Sequence, residues 1–215
     1  MKFKGFTLTE VLITIAIIGV IASLTLPALM SNVQRQQAGP ALLRAIATLD
    51  TANAIMFTEQ DMYSFSDSCR DYVNDCFRRF ISQRIGADNG DQRQVYQEFN
   101  DTIGAVPLAG ERTGGYTTKN GFIYYFGTAA ADGSVDVQID INGLRGPNMV
   151  GKDLFYAVIS GTDDGKVYAW GSRVRPSNGP DMGSWEGSCD ANGVTDARTC
   201  SGSIIDHGGN VVYRW

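Results

Sequence analysis

Between Val11 and Met30 the chain carries no charged residue, and its only polar side chains there are the hydroxyls of Thr14, Ser23 and Thr25. A run of about 20 such residues is enough α-helix to cross a hydrocarbon core of roughly 30 Å, so a membrane segment is the first expectation. Glu10 stands directly against this run. An ionised carboxylate at that depth is costly and calls for a specific partner, which an ordinary anchor would not require. A secretory signal is also a poor description. Lys2 and Lys4 supply a basic head, but the apolar run exceeds the usual roughly 7 to 15 residues, and it ends at Leu26, Pro27, Ala28 and Leu29 without a small-residue cleavage site.

Gly5, Phe6, Thr7, Leu8, Thr9 and Glu10, followed by an apolar helix containing Gly19 and Pro27, resemble the N-terminus of type IV pilins and of the pseudopilins of type II secretion. In that family a prepilin peptidase on the cytoplasmic side cuts after the glycine and methylates the new N-terminal residue. The resemblance therefore implies cleavage between Gly5 and Phe6, N-methylation of Phe6, and a role for Glu10 in assembly. It also implies three regions: a leader at 1–5, a transmembrane and filament-core helix at 6–37, and a globular head at 38–215. The fold implied is α+β, a long N-terminal hydrophobic helix whose C-terminal half packs on an antiparallel β-sheet, with a disulfide-closed C-terminal loop.

The rest of the chain, read on its own residues, is compatible with such a head. Its 215 residues, less the N-terminal helix, suit one domain of ordinary size. Gln34, Arg35, Gln36 and Gln37 mark emergence into water, and Gly39 and Pro40 form a second break or kink after Pro27. Leu42, Ala45, Ile46, Leu49, Ala52 and Met56 then resume an apolar stripe at helical spacing. Asp67 is a candidate cap for a further helix ending at Gly86, and the polar run from Asp88 to Glu98 reads as surface loop.

Val135, Val137, Ile139 and Ile141 alternate with Asp136, Gln138 and Asp140, the pattern of a strand with one wet face. With the runs Gly121 to Phe126, Leu154 to Ile159 and Val167 to Trp170, and turn signals at Asp132-Gly133 and Asp164-Gly165, it predicts a four-stranded antiparallel meander covered by the helical stripe. Asn210 to Tyr213 is a candidate final strand.

Four cysteines, no Cys-x-x-Cys pair and a single histidine, His207, favour disulfides over a zinc site in a head outside the cytoplasm. Among the three ways of pairing them, the local bridges Cys69 to Cys76 and Cys189 to Cys200 are expected. The first requires any helix there to begin after Cys69, because seven residues of helix separate the ends by about 10.5 Å. Pilin heads often end in a disulfide-bounded loop like that of Cys189 and Cys200.

The net charge of −5 gives no field that would draw the chain to nucleic acid. No nucleophile elbow, phosphate loop, zinc-protease motif or dinucleotide fingerprint occurs, so no enzyme is expected; Asp136 and Asp140 read as solvated carboxylates. The loop from Asp140 to Asp153 admits two readings. Asp140, Asn142, Asn148 and Asp153 with a turn at Gly143 offer the oxygen ligands that calcium takes, although no bidentate Glu closes the loop; the better supported alternative is a hairpin loop held by Asx side chains.

The expected function is that of a structural subunit of a type IV pilus-like filament, held first in the bacterial inner membrane with its head outside the cytoplasm. Its partners would be other pilin-like subunits in a homo- or hetero-polymer, the prepilin peptidase and a membrane-embedded assembly platform. The alternatives are a pseudopilin forming a periplasmic fibre and a membrane-anchored adhesin that never polymerises.

Overall fold

The computed structural model describes residues 5–60, 115–117, 121–130, 132–143, 149–161, 166–175 and 181–213. The chain divides into two compact units, Met1–Gln37 and Ala38–Trp215. The expected helix from Asp67, the bridge from Cys69 to Cys76, the loop from Asp88 and the turn at Asp164-Gly165 lie outside the described residues.

In the N-terminal unit the apolar run is helical, as part of helix α1, Leu8–Gln60. Uncharged, apolar side chains with intrahelical hydrogen bonds are what a membrane tolerates, and the hydroxyls follow suit: Thr14, Ser23 and Thr25 each bond a carbonyl three or four residues back. The helix runs through Pro27 and also through Gly39 and Pro40, where a second break or kink was expected.

In the second unit, Ala38, Leu42, Ala45, Leu49 and Ala52 recur at steps of four and three residues, so they form one stripe of α1. All five are buried against the sheet. Ile46 packs at the margin of the same cluster. The small alanines let the helix lie close, and the leucines fill the space between.

The sheet has five strands in the order β1 (Gly115–Thr117), β2 (Ile123–Ala129), β3 (Val135–Asp140), β4 (Leu154–Ile159) and β5 (Val167–Ala169), each antiparallel to the next. The four expected strands are present, and β1 adds a fifth beside β2. The β2 to β3 turn follows its sequence signal: Gly133 has φ +79°, and the Asp132 carboxylate accepts from Ser134 N at 2.9 Å. Tyr124 and Phe126 of β2, Val135, Val137 and Ile139 of β3, and Phe155, Ala157 and Ile159 of β4 belong to the same core cluster as the α1 stripe. Tyr124 turns its hydroxyl to the Ala45 carbonyl at 2.9 Å, which satisfies a polar atom that would otherwise be stranded in this layer.

The opposite face of β3 is not the wet face that its alternation predicts. Gln138 and Asp140 are 0% exposed, and only Asp136 is partly open. Period-two patterning identifies which residues share a face, but a polar face is left in water only if no other part of the chain covers it.

The C-terminal segment is more structured than an extended loop. A short hairpin, β6 (Cys189–Asp190) with β7 (Gly193–Val194), is followed by a 3-10 turn over Ala197–Thr199 and helix α2, Cys200–Asp206. The expected bridge between Cys189 and Cys200 is formed, with Cα atoms 5.1 Å apart. Residues 210–213 form no strand, contrary to expectation. Tyr213 is instead buried in the core, where a side-chain anchor does what strand pairing was expected to do: its hydroxyl donates to the Gly151 carbonyl.

Candidate functional site

Gly5, Phe6 and Thr7 precede the first turn of α1 and are not helical. Thr7 is the reason the helix begins where it does. Its backbone N–H and its hydroxyl both donate to Glu10 Oε2, each at 2.8 Å, and Glu10 N donates back to Thr7 Oγ1 at 3.3 Å. This reciprocal arrangement is a capping box, in which a hydroxyl and a carboxylate three residues apart satisfy donors that the helix itself cannot. A Thr-x-x-Glu pattern before an apolar run carries that signal, and the sequence reading, which took Glu10 as an assembly residue, passed over Thr7.

The cap leaves the Gly5-Phe6 peptide outside the helix, in backbone that a protease can bind without first unwinding a turn. Phe6 is 88% exposed, and a continuous set of apolar side chains follows it, from Leu8 and Val11 through Ile17 and Ile21 to Met30. A charged carboxylate next to that surface, close in sequence to the amine that cleavage after Gly5 would create, is chemically a pair of opposite charges waiting on an apolar rod. α1 contains a stretch long and apolar enough to cross a membrane.

The second expected site is the loop between β3 and β4. Asp140 ends β3, Asp153 immediately precedes β4, and Asn142 bridges them: its N–H donates to Asp140 Oδ1 at 2.9 Å and its Nδ2 to Asp153 Oδ2 at 3.0 Å. Met149 N donates to the other oxygen of Asp153. The Asx arrangement that favours such a hairpin loop is therefore present. Asn148 lies outside the described residues. Both carboxylates are buried, so the reading of Asp140 as solvated is incorrect. Burial pushes the Asp140 carboxyl up to about 8; the backbone N–H of Asn142 opposes this, the charge of Asp153 adds to it, and the N–H of Gly143 opposes it.

A third cluster was not anticipated. Asp206, the last residue of α2, accepts from Ser172 Oγ at 2.6 Å, Arg173 N at 2.9 Å and Trp185 Nε1 at 2.8 Å. Trp185 also carries the Arg173 guanidinium at 5.0 Å over its ring and meets His207 edge-on at 4.8 Å. These contacts join three separate stretches of the C-terminal segment, and they suit a structural role, since every oxygen of Asp206 is committed. Among the described residues no group of three or more His, Cys, Asp or Glu side chains is placed to hold a metal.

Residues 1–26 match the family described as the prokaryotic N-terminal methylation motif, the prepilin-type motif of type IV pilins and pseudopilins. Neither a search of curated proteins nor a comparison with solved structures finds a significant match. The N-terminus is thus that of a prepilin-processed, pilin-like protein, and the motif implies processing by prepilin peptidase and pilin-like polymerisation in general.

Proposed function

We propose that the chain is a structural, non-catalytic subunit of a type IV pilus-like filament. The observation that carries this reading is the N-terminal methylation motif on residues 1–26, set on a helix whose N-terminal apolar run, from Leu8 to Met30, is exposed. Cleavage after Gly5 leaves Phe6 as the methylated terminus. The helix first holds the subunit in the inner membrane and then packs among neighbouring helices in the filament, so the same apolar surface serves both environments.

Glu10 and the new amine of Phe6 enter that apolar core together. Each charge alone there is expensive, whereas the pair offsets much of the desolvation and accepts only one register between subunits. The same N-terminus serves a pseudopilin of a type II secretion machine, in which the fibre stays short and periplasmic.

The test is the variant Glu10→Val expressed in the native organism. Mass spectrometry of the N-terminus should show cleavage after Gly5, while sheared surface and periplasmic fractions should contain few or no filaments that include the chain. Normal filament number and length with processing intact would defeat the assembly reading. Recovery of wild-type filaments from the periplasm alone would favour the secretion fibre.

A further inference from the structure

Nothing in the apolar run itself tells α1 to begin at Leu8. In hydrocarbon a helix gains by growing at its end, because each residue added satisfies a backbone group that lipid cannot. Upstream stand Phe6 and Gly5, and neither residue type forbids a helix. What stops α1 is Thr7. Its carbonyl accepts from Val11 N at 3.3 Å, the first bond of the helix, while its N–H and hydroxyl are turned forward to Glu10 Oε2 and its Oγ1 accepts from Glu10 N. A residue that makes these bonds has non-helical backbone, so the box and a helix continuing through Thr7 exclude each other.

The consequence falls on the peptide just upstream. Gly5, Phe6 and Thr7 are exposed and not helical, and a Cβ added at Gly5 would meet nothing within 4 Å. If the helix grew back through this point, the Gly5 carbonyl would be taken by the N–H four residues on, that of Thr9. A carbonyl spent in that bond and shielded by its own turn is poorly placed for attack, and hydrolysis there would first require the turn to open.

We propose that Thr7 is a positioning residue for leader removal: by capping α1 at Leu8 it keeps the Gly5-Phe6 peptide in non-helical backbone that prepilin peptidase can take up directly. This rests on the processing included in the proposed function, and on the methylation motif over residues 1–26, which points to this peptide as the bond cut. Glu10 contributes the smaller share. Without its carboxylate the Thr7 hydroxyl still accepts from the N–H of residue 10, so Glu10→Val remains a substrate.

The experiment follows leader loss by mass spectrometry, with the full-length precursor in detergent micelles and purified prepilin peptidase. Thr7→Leu removes the cap and supplies a good helix former; it should be cut about fivefold more slowly than the natural chain, the rate equivalent of one lost cap. Thr7→Ser and Thr7→Asn both cap well, and should stay within about twofold of the natural rate. Adding Leu8→Pro to Thr7→Leu should restore fast cleavage, because proline suits the first helical position and pushes the residue before it out of helical backbone. Backbone chemical shifts of Gly5 and Phe6 should move toward helical values in Thr7→Leu alone.

Cleavage of Thr7→Leu at the natural rate would overturn the proposal. So would slow cleavage of both Thr7→Asn and the proline-bearing chain beside fast Thr7→Ser, since the enzyme would then be reading the hydroxyl itself. A natural chain left uncut between Gly5 and Phe6 would defeat the processing reading, and this inference with it. Filament assembly enters none of these measurements.

Discussion

Asp206 shows how a single carboxylate can organise a segment with little regular structure. Burial raises its pKa, but the donors from Ser172, Arg173 and Trp185, with the Arg173 charge, outweigh this and hold it below the usual carboxylate value of 3.8. A group whose folded pKa is depressed adds stability above its unfolded pKa and loses it as pH falls through the folded one. Asp206→Asn keeps the shape but turns an N–H donor towards other donors. It should cost about 1 to 2 kcal/mol near pH 7, and the deficit should shrink as pH drops below about 4. Thermal melts of both forms across that range are the check, and a deficit independent of pH would show that the carboxylate charge is not what matters.

At the scale of elements, α1 depends on a residue without a side chain where the turn after α2 comes close. At Gly39 an added Cβ would stand only 1.7 Å from the carbonyl oxygen of Gly209, which itself has φ +90° in the turn after α2. Replacing a helical glycine by alanine ordinarily stabilises a helix by about 1 kcal/mol. Here overpacking should reverse the sign, with Gly39→Ala destabilising the head by about 1 to 3 kcal/mol. A denaturant midpoint equal to or above that of the natural chain would mean that the two backbones do not approach so closely. The same logic applies to Gly202, whose absent Cβ leaves room for the backbone of Gly171 and Ser172, and it explains how a short helix can lie against the end of β5.

For the molecule as a whole, the C-terminal segment is attached to the sheet by a few specific links. The Cys189–Cys200 bridge is buried in the main core, Ser201 Oγ accepts from Tyr156 N at 2.8 Å where β4 extends beyond β5, and the Gly202 N–H donates to the Trp170 carbonyl at 2.8 Å. Closing a loop of 11 residues' separation removes chain entropy from the unfolded state corresponding to about 3 kcal/mol. The double variant Cys189→Ser, Cys200→Ser should therefore lose about that much stability in urea, while cleavage after Gly5 proceeds as before, because processing concerns only the N-terminus. A loss well under 1 kcal/mol would show that packing alone holds the segment.

The N-terminal motif, the membrane-length helix, the α1 stripe and four of the strands were legible in the sequence because each is a local pattern: an absence of charge, a helical repeat, an alternation or a turn residue at fixed spacing. The pairing of Cys189 with Cys200 was similarly favoured by proximity. The fifth strand was not legible, since three residues, Gly115 to Thr117, are too few to show an alternation. α2, rich in Ser and Gly, carries no local helix signal; it forms where Gly202 and Ser201 can meet the sheet edge, which is a tertiary condition. Most of all, the sequence assigned Gln138 and Asp140 to one face of β3 but could not tell that this face is covered. Whether a polar face meets water depends on distant chain, so only the tertiary structure decided that Gln138 and Asp140 are buried.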